Sequence, residues 1–200
     1  MPRKLTLIRH SAINNAFAHC YVGRRDVHLS PEGKLQAGCL AHQLQATNNG
    51  IDTLWCSPAA RAQQTADPIA EQLNLQYTLH EKLHEVDFGS WEGLTFDQIC
   101  AMDPQQVNAW ARLEESFCFP NGESHRHFNQ RITQIATAVH NSTAEHLAIV
   151  SHGGVIRALI CQLVGWPVSD TMKIIIIRGG YATLDFYDHH AVLTGLYNDI

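Results

Sequence analysis

The sequence contains no apolar run of the roughly 18 residues that a membrane-spanning helix needs. Charged residues are few, at 16%, and 14 basic against 19 acidic side chains give a net charge of −5 with histidine neutral. Such a mildly acidic chain is a poor candidate for a general nucleic-acid binder, which normally presents a basic face, although an uneven charge distribution would still allow a local basic pocket. We therefore expect neither a membrane nor a nucleic acid among its partners.

The N-terminus has no signal-peptide pattern, and the six cysteines form no C-x-x-C pair. The apolar run over residues 5–8 ends at Arg9 and His10, so it is shorter than the roughly 7 to 15 residues of a signal-peptide apolar region. We therefore predict a cytoplasmic protein. Because thiols in that reducing compartment stay free, we expect no structural disulfide.

The chain does contain enough apolar material for a sizeable core. Hydrophobic residues occupy 45% of its 200 positions, which is ordinary for a globular protein. No internal repeat or low-complexity tract divides it. We predict one domain over residues 1–200.

Apolar runs and helix signals alternate along the chain. Short apolar runs predict strands over residues 5–8, 53–56, 75–79 and 147–150. Helical spacing and Ser-Pro starts predict helices over 31–45, 58–73, 95–110 (interrupted near Pro104), 123–141 and 155–163. Ser30 and Ser57 are expected to be N-caps, with Leu35, Leu40 and Leu44 facing inward from the first helix. Asn48 and Asn49 are expected to end that helix.

The last part of the chain is expected to add two strands. Residues 173–178, which hold four consecutive isoleucines, and residues 181–187 are predicted to pair across Gly179-Gly180. Strands alternating with helices indicate a three-layer α/β/α sandwich with a mostly parallel sheet. Ligands in that class bind at the carboxyl ends of the strands.

Three predicted strands end next to reactive side chains. The first ends at Arg9-His10, the second shortly before Arg61, and a late one at Ser151-His152. Guanidinium groups bind oxyanions through two charge-assisted hydrogen bonds. Gly153 and Gly154 would add free backbone N–H groups at a helix N-terminus. A phosphoryl group is the simplest ligand for this set.

These motifs resemble, in order, those of the histidine phosphatase superfamily, the phosphoglycerate-mutase-like proteins. The matching segments are Leu7-Ile8-Arg9-His10, Gly23-Arg24-Arg25-Asp26, Ser57-Pro58-Ala59-Ala60-Arg61, Leu83-His84-Glu85 with Phe88-Gly89-Ser90-Trp91-Glu92-Gly93, and Ser151-His152-Gly153-Gly154-Val155-Ile156-Arg157. Each motif is weak alone, but five in the family's order are specific. The resemblance covers residues 5 to about 187.

The resemblance implies a role for each catalytic position. His10 would attack phosphorus and become phosphohistidine. Arg9, Arg61 and His152 would hold the non-bridging oxygens, and Glu85 would protonate the leaving oxygen. The family's chemistry needs no metal and no cofactor. The histidines at 125, 127, 189 and 190 have no ligand spacing of a known type, so we expect no metal site there.

The pattern also suggests residues on the substrate side of the site. Arg24, Gly153, Asn15 and Glu123 are candidates for contacting the substrate. Glu123 could equally be a simple helix start, and Asp87 and Glu92 compete with Glu85 for the acid role. The run Ser11-Ala12-Ile13-Asn14-Asn15-Ala16 departs from the family's R-H-G-E-T-x-x-N, and Ala16 replaces the phosphate-contacting asparagine.

The expected partner is a small-molecule phosphate ester. The loop from Glu85 to Gly93 and the run Pro120-Asn121-Gly122-Glu123-Ser124 resemble the α-ribazole phosphatase branch, which implies α-ribazole 5′-phosphate in cobalamin synthesis. A broad phosphomonoesterase, a phosphoglycerate mutase and a non-catalytic phospholigand-binding protein are the alternatives. A homodimer is compatible with this class of fold.

Overall fold

The protein is described here by a computed structural model covering residues 1–17, 19–47, 50–188 and 190–199. The predicted helix end at Asn48-Asn49 and His189 of the histidine set lie outside these residues. None of the helices in these ranges has the length and apolar character needed to cross a membrane.

Six strands form one sheet in the described part of the chain. They are β1 (Lys4–Arg9), β2 (Thr53–Cys56), β3 (Tyr77–Leu79), β4 (His146–Ser151), β5 (Tyr181–Tyr187) and β6 (His190–Tyr197), in the order β3-β2-β4-β1-β5-β6. The first four run parallel, whereas β5 is antiparallel to β1 and β6 is antiparallel to β5. The predicted mostly parallel sheet is confirmed.

Six α-helices connect and cover these strands in the same ranges. They are α1 (Pro31–Ala46), α2 (Ala60–Leu73), α3 (Phe96–Met102), α4 (Pro104–Ala111), α5 (His125–His140) and α6 (Gly153–Val164). Ser30 caps α1, since its Oγ accepts the Gly33 N–H at 3.0 Å. Thr95 and Gln98 form a capping box at the start of α3.

The sheet lies between two layers of helices. Leu5 and Leu7 of β1 pack on the side of α5 and α6, whereas Ile8 packs on the side of α1 and α2. Alternate side chains of a strand point to opposite faces, so one strand contributes to both cores. The three-layer α/β/α sandwich is therefore confirmed.

Two local predictions about helices are wrong. Leu35 is 73% exposed, although Leu40 and Leu44 are buried as expected. Ser57 is not an N-cap, because α2 begins at Ala60 and Ala59 caps it without a side-chain hydrogen bond. Its hydroxyl contacts a side chain of the candidate site instead.

The predicted strand over residues 173–178 is also wrong. A short 3-10 helix spans Val168–Lys173, and the following isoleucines bond to side chains rather than to a strand. The Ile176 carbonyl accepts from Arg9, while Asn198 bonds both Ile175 and Ile177. Strand β5 pairs with β1 and with β6, and the sequence analysis missed β6.

Candidate active site

The reactive residues converge at the carboxyl edge of the sheet. Arg9 ends β1 opposite Ser151, which ends the neighbouring parallel strand β4. The His10 backbone N–H donates to the Ser151 carbonyl at 2.9 Å and so ties the two strand ends together. A cavity of about 460 Å³ opens here, and Arg9, His10, Arg61, Glu85 and Gly153 line it.

His10 is held in one tautomer. Its Nδ1 lies 2.8 Å from the Ser11 carbonyl oxygen, which can only accept, so Nδ1 carries the proton. The other ring nitrogen, Nε2, is then unprotonated and carries a free lone pair. Burial lowers the pKa of His10 well below its usual range, and the cationic Arg61 and Arg9 lower it further. A neutral imidazole is the form that a nucleophile needs.

His152 lies beside His10 and is fully buried. The two rings meet edge to face, with centroids 5.3 Å apart. His152 Nε2 lies 2.8 Å from Ser57 Oγ, and Nδ1 finds no hydrogen-bond partner among the residues described. Burial, followed by the charge of Arg61, lowers the pKa of His152 well below its usual range. His152 is therefore a second neutral imidazole, in contact with the His10 ring.

Arg61 is a buried cation fixed by two backbone carbonyls. Its Nη1 donates to Arg25 O at 2.8 Å and its Nη2 to Gly23 O at 2.7 Å. Nε has no partner within the described chain, and burial lowers the pKa of this guanidinium. Glu92 fixes the loop in turn, since its Oε1 accepts the Arg24 N–H at 2.7 Å. A bound anion would compensate this charge.

Arg9 points into the cavity from the end of β1. Its Nη1 donates to Ile176 O at 2.7 Å, and its guanidinium lies against Gly153, where a β-carbon would come within 3.2 Å of Cζ. Burial first, and then the positive charge of Arg178, lowers the pKa of Arg9 to about 10. Arg9 is therefore still protonated at neutral pH.

Two further arginines that the sequence analysis did not assign also line the cavity. Arg157 Nε donates to Gly153 O at 3.1 Å, one turn along α6, and Arg178 follows the isoleucine segment. Arg157 stood inside the quoted motif and could have been recognised there. Arg178 was not recognised because it was assigned to the end of the predicted strand over residues 173–178. Four guanidinium groups thus face one carboxylate, Glu85, among the residues that line the cavity.

Glu85 is oriented by two backbone N–H groups. Oε1 accepts from its neighbour Val86 at 3.0 Å, and Oε2 accepts from Gly154 at 3.1 Å. Gly154 lies in the first turn of α6, where N–H groups are not used within the helix. The structure places Glu85 in the cavity. Of its two competitors, Asp87 Oδ1 accepts the Gly89 N–H at 2.9 Å and Glu92 holds the Arg24 loop.

Glu123 does not line this cavity. Its carboxylate forms a bidentate ion pair with Arg131, at 3.0 Å from Nε and 2.8 Å from Nη2, and both side chains are about nine-tenths buried. Arg131 also donates to the carbonyls of Lys82 and His84 at 2.6 and 2.7 Å. The pair holds the loop that leads into Glu85.

Arg24 and Asn15 likewise stay outside the cavity lining. Both are exposed, and Asn15 begins the short 3-10 helix Asn15–Phe17. Asn14 Oδ1 is used locally, accepting the Ala16 N–H at 3.0 Å. Of the expected substrate contacts, the structure therefore brings only Gly153 to the catalytic residues. Across the ranges described, no group of three or more His, Cys, Asp or Glu residues could hold a metal ion.

Comparisons with known proteins give matches along nearly the whole chain. The model of the histidine phosphatase superfamily (branch 1) matches residues 5–199. Phosphoserine phosphatase 1 of Hydrogenobacter thermophilus is 27% identical over 194 residues, covering 96% of this chain and 91% of its own. The adenosylcobalamin/alpha-ribazole phosphatase of Escherichia coli is 28% identical over 191 residues, covering 95% and 93%.

A solved structure supports the same relationship. The crystal structure of the alpha-ribazole phosphatase from Shigella flexneri superimposes with a TM-score of 0.85 and 28% identity. The alignment covers 98% of this chain and 96% of that one. The similarity therefore extends over the whole sandwich and not only over the motifs.

Proposed function

Since the chain belongs to branch 1 of the histidine phosphatase superfamily and is a phosphatase, we propose that it hydrolyses phosphate monoesters through a phosphohistidine at His10. One observation carries the proposal most directly. The hydrogen bond from Nδ1 to the Ser11 carbonyl leaves His10 Nε2 as the free nucleophilic nitrogen, in a cavity with Arg9, Arg61 and Glu85.

The reaction proceeds in two transfers. His10 Nε2 forms a bond to phosphorus while the bond to the alcohol oxygen breaks, and Glu85 gives that oxygen its proton. Water then attacks phosphorus, Glu85 takes a proton from it, and the phosphorus–nitrogen bond breaks. Inorganic phosphate leaves and His10 returns to its neutral form.

The arginines stabilise the charge that develops during both transfers. In phosphoryl transfer this charge spreads over the non-bridging oxygens, so donors aimed at those oxygens accelerate the step. Arg9 and Arg61 are held by backbone carbonyls before substrate arrives. Their orientation therefore costs little reorganisation in the reaction. His152, also expected at these oxygens, does not line the cavity, so we propose that it positions the His10 ring through their edge-to-face contact.

For the substrate, we propose α-ribazole 5′-phosphate. The similarity to alpha-ribazole phosphatases in both sequence and structure supports it, together with the loop from Glu85 to Gly93. Phosphoserine is the second candidate, because phosphoserine phosphatases are as similar to this chain. Arg24, Asn15 and Glu123 are left out of the proposed substrate contacts, since none of them lines the cavity.

The first test is hydrolysis of para-nitrophenyl phosphate near pH 6 with EDTA present. We expect the native protein to release phosphate under these conditions and His10→Ala to release none. Activity that EDTA abolishes, or that survives in a folded His10→Ala variant, would contradict the proposal. A panel of α-ribazole 5′-phosphate and phosphoserine then decides between the two substrates by kcat/KM.

A further inference from the structure

A second chamber of about 340 Å³ adjoins the arginine cavity. Tyr21, Phe88, Gly154, Arg157 and Met172 line both spaces, so the two share a wall. The second chamber extends between α4, α5, α6 and the 3-10 helix Val168–Lys173. Its volume lies within the range of about 300 to 1,000 Å³ typical of small-ligand pockets.

The proposed chemistry directs the alcohol of the substrate toward this chamber. An in-line displacement places the leaving oxygen opposite His10, on the side of the general acid. That acid, Glu85, is hydrogen-bonded to Gly154 N at 3.1 Å, and Gly154 belongs to the shared wall. A phosphate held by Arg9 and Arg61 therefore presents its ester oxygen at the boundary between the two spaces.

The chamber's lining defines what kind of alcohol fits. Trp110, Phe119, Phe128 and Trp166 belong to this chamber and not to the arginine cavity. Aromatic faces bind flat rings by stacking and edge-to-face contact. Asn129 and Gln162 add hydrogen-bonding groups for ring heteroatoms. His125 also lines the chamber, and burial lowers its pKa, which favours its neutral form.

We infer that this chamber is a binding site for the alcohol portion of the substrate, and that this portion carries a planar heteroaromatic ring. The inference rests on the proposed function, because Glu85 as the acid sets the direction of the leaving group. It deepens that function by assigning ring recognition to α4, α5 and α6. A phosphate ester of a small polar alcohol would fill only the arginine cavity.

The test compares two primary alkyl esters, tryptophol phosphate and ethyl phosphate, whose ester bonds have similar intrinsic reactivity. The native protein should hydrolyse the ring-bearing ester with kcat/KM at least about tenfold higher, as burial of a ring implies. Ala158→Trp should fill the chamber from α6 and remove that preference. It should lower kcat/KM for ethyl phosphate much less than for the ring-bearing ester, since Ala158 does not line the arginine cavity.

Two more variants secure the result. Gln162→Phe obstructs the chamber from an exposed position on α6, so folding should tolerate it even if the Ala158 variant does not fold. Ala46→Trp, exposed at the end of α1 on the other face of the sheet, is the matched control and should keep the native preference.

The possible failures can be told apart. Hydrolysis of neither ester by the native protein would overturn the proposed function and this inference with it. Equal kcat/KM values for the two esters would overturn the inference alone. A preference that persists in both obstructing variants would also overturn it, because the ring would then bind elsewhere.

Discussion

Ser57 and His152 lie 95 positions apart in the sequence, yet Ser57 Oγ is 2.8 Å from His152 Nε2. Both side chains are fully buried, so this contact is shielded from water. A hydroxyl can donate or accept, and it therefore fixes the orientation of the ring in either tautomer. The residue that the sequence suggested as a helix cap instead orients an imidazole of the site.

Ser57→Ala should release the His152 ring. We expect kcat to fall about tenfold and the free energy of unfolding to fall by about 1 to 2 kcal/mol, because a buried hydrogen bond is lost. Steady-state kinetics and urea denaturation measure the two effects. Ser30→Ala is the matched control: loss of the α1 cap should cost about 1 kcal/mol and leave kcat unchanged. Equal kcat losses in both variants would show that Ser57 acts only through stability.

Gly154→Ala should displace the carboxylate of Glu85. A β-carbon there would lie 2.5 Å from Glu85 Oε1, so the flexible side chain must move away. We expect kcat for an alkyl phosphate to fall about a hundredfold, the scale of general acid catalysis, with little change in stability. An aryl phosphate should lose less, since its leaving oxygen needs less protonation.

The control for this prediction is Gly38→Ala in α1. A β-carbon at Gly38 meets no atom within 4 Å, so the variant should keep native kinetics and gain helix stability. If Gly154→Ala reduced hydrolysis of alkyl and aryl esters equally, Glu85 would not be the acid.

Glu123→Gln should destabilise the protein through the loop that carries Glu85. The substitution leaves the buried Arg131 guanidinium without its charged partner, and such losses cost about 3 to 5 kcal/mol. We expect kcat to fall as well, because Arg131 holds the carbonyls of Lys82 and His84. The surface pair of Arg126 and Glu115 is the comparison, and Arg126→Ala should cost less than about 1 kcal/mol. Similar losses in the two variants would contradict the buried pairing.

Stability should depend on pH through the buried imidazoles. The pKa of His10 and that of His152 are lowered in the folded state, so below about pH 6.5 the unfolded chain binds more protons. Their contribution is complete above that pH and is lost as the pH falls. Urea titrations between pH 5 and 7 should show a free energy of unfolding that rises with pH. His152→Gln should reduce the slope of this rise by up to about 1.4 kcal/mol per pH unit. An unchanged slope would mean that His152 is not held neutral.

The sequence predicted what depends on local signals or on ordered motifs. Ser30 precedes a proline and caps α1, and the end of β1 carries Arg9 and His10 into the site. The predicted strand over residues 173–178 was wrong because an apolar run does not specify which backbone will pair with it. The prediction that Glu123 contacts the substrate failed for a similar reason. Its partner Arg131 lies two helical turns further along the chain, in α5, and nothing in that spacing indicates a buried ion pair.

The segment that follows α6 is hydrogen-bonded to the end of β1, where the nucleophile lies. Ile176 O accepts from the Arg9 side chain, and Gly179 N lies within hydrogen-bond distance of the carbonyls of Arg9 and His10, at 3.2 and 3.0 Å. During translation His10 is therefore made well before Ile176 and Gly179, the residues that support this edge of the site. Until residues 176–187 have emerged from the ribosome, β1 has no β5 beside it and the Arg9 side chain lacks the carbonyl that holds it.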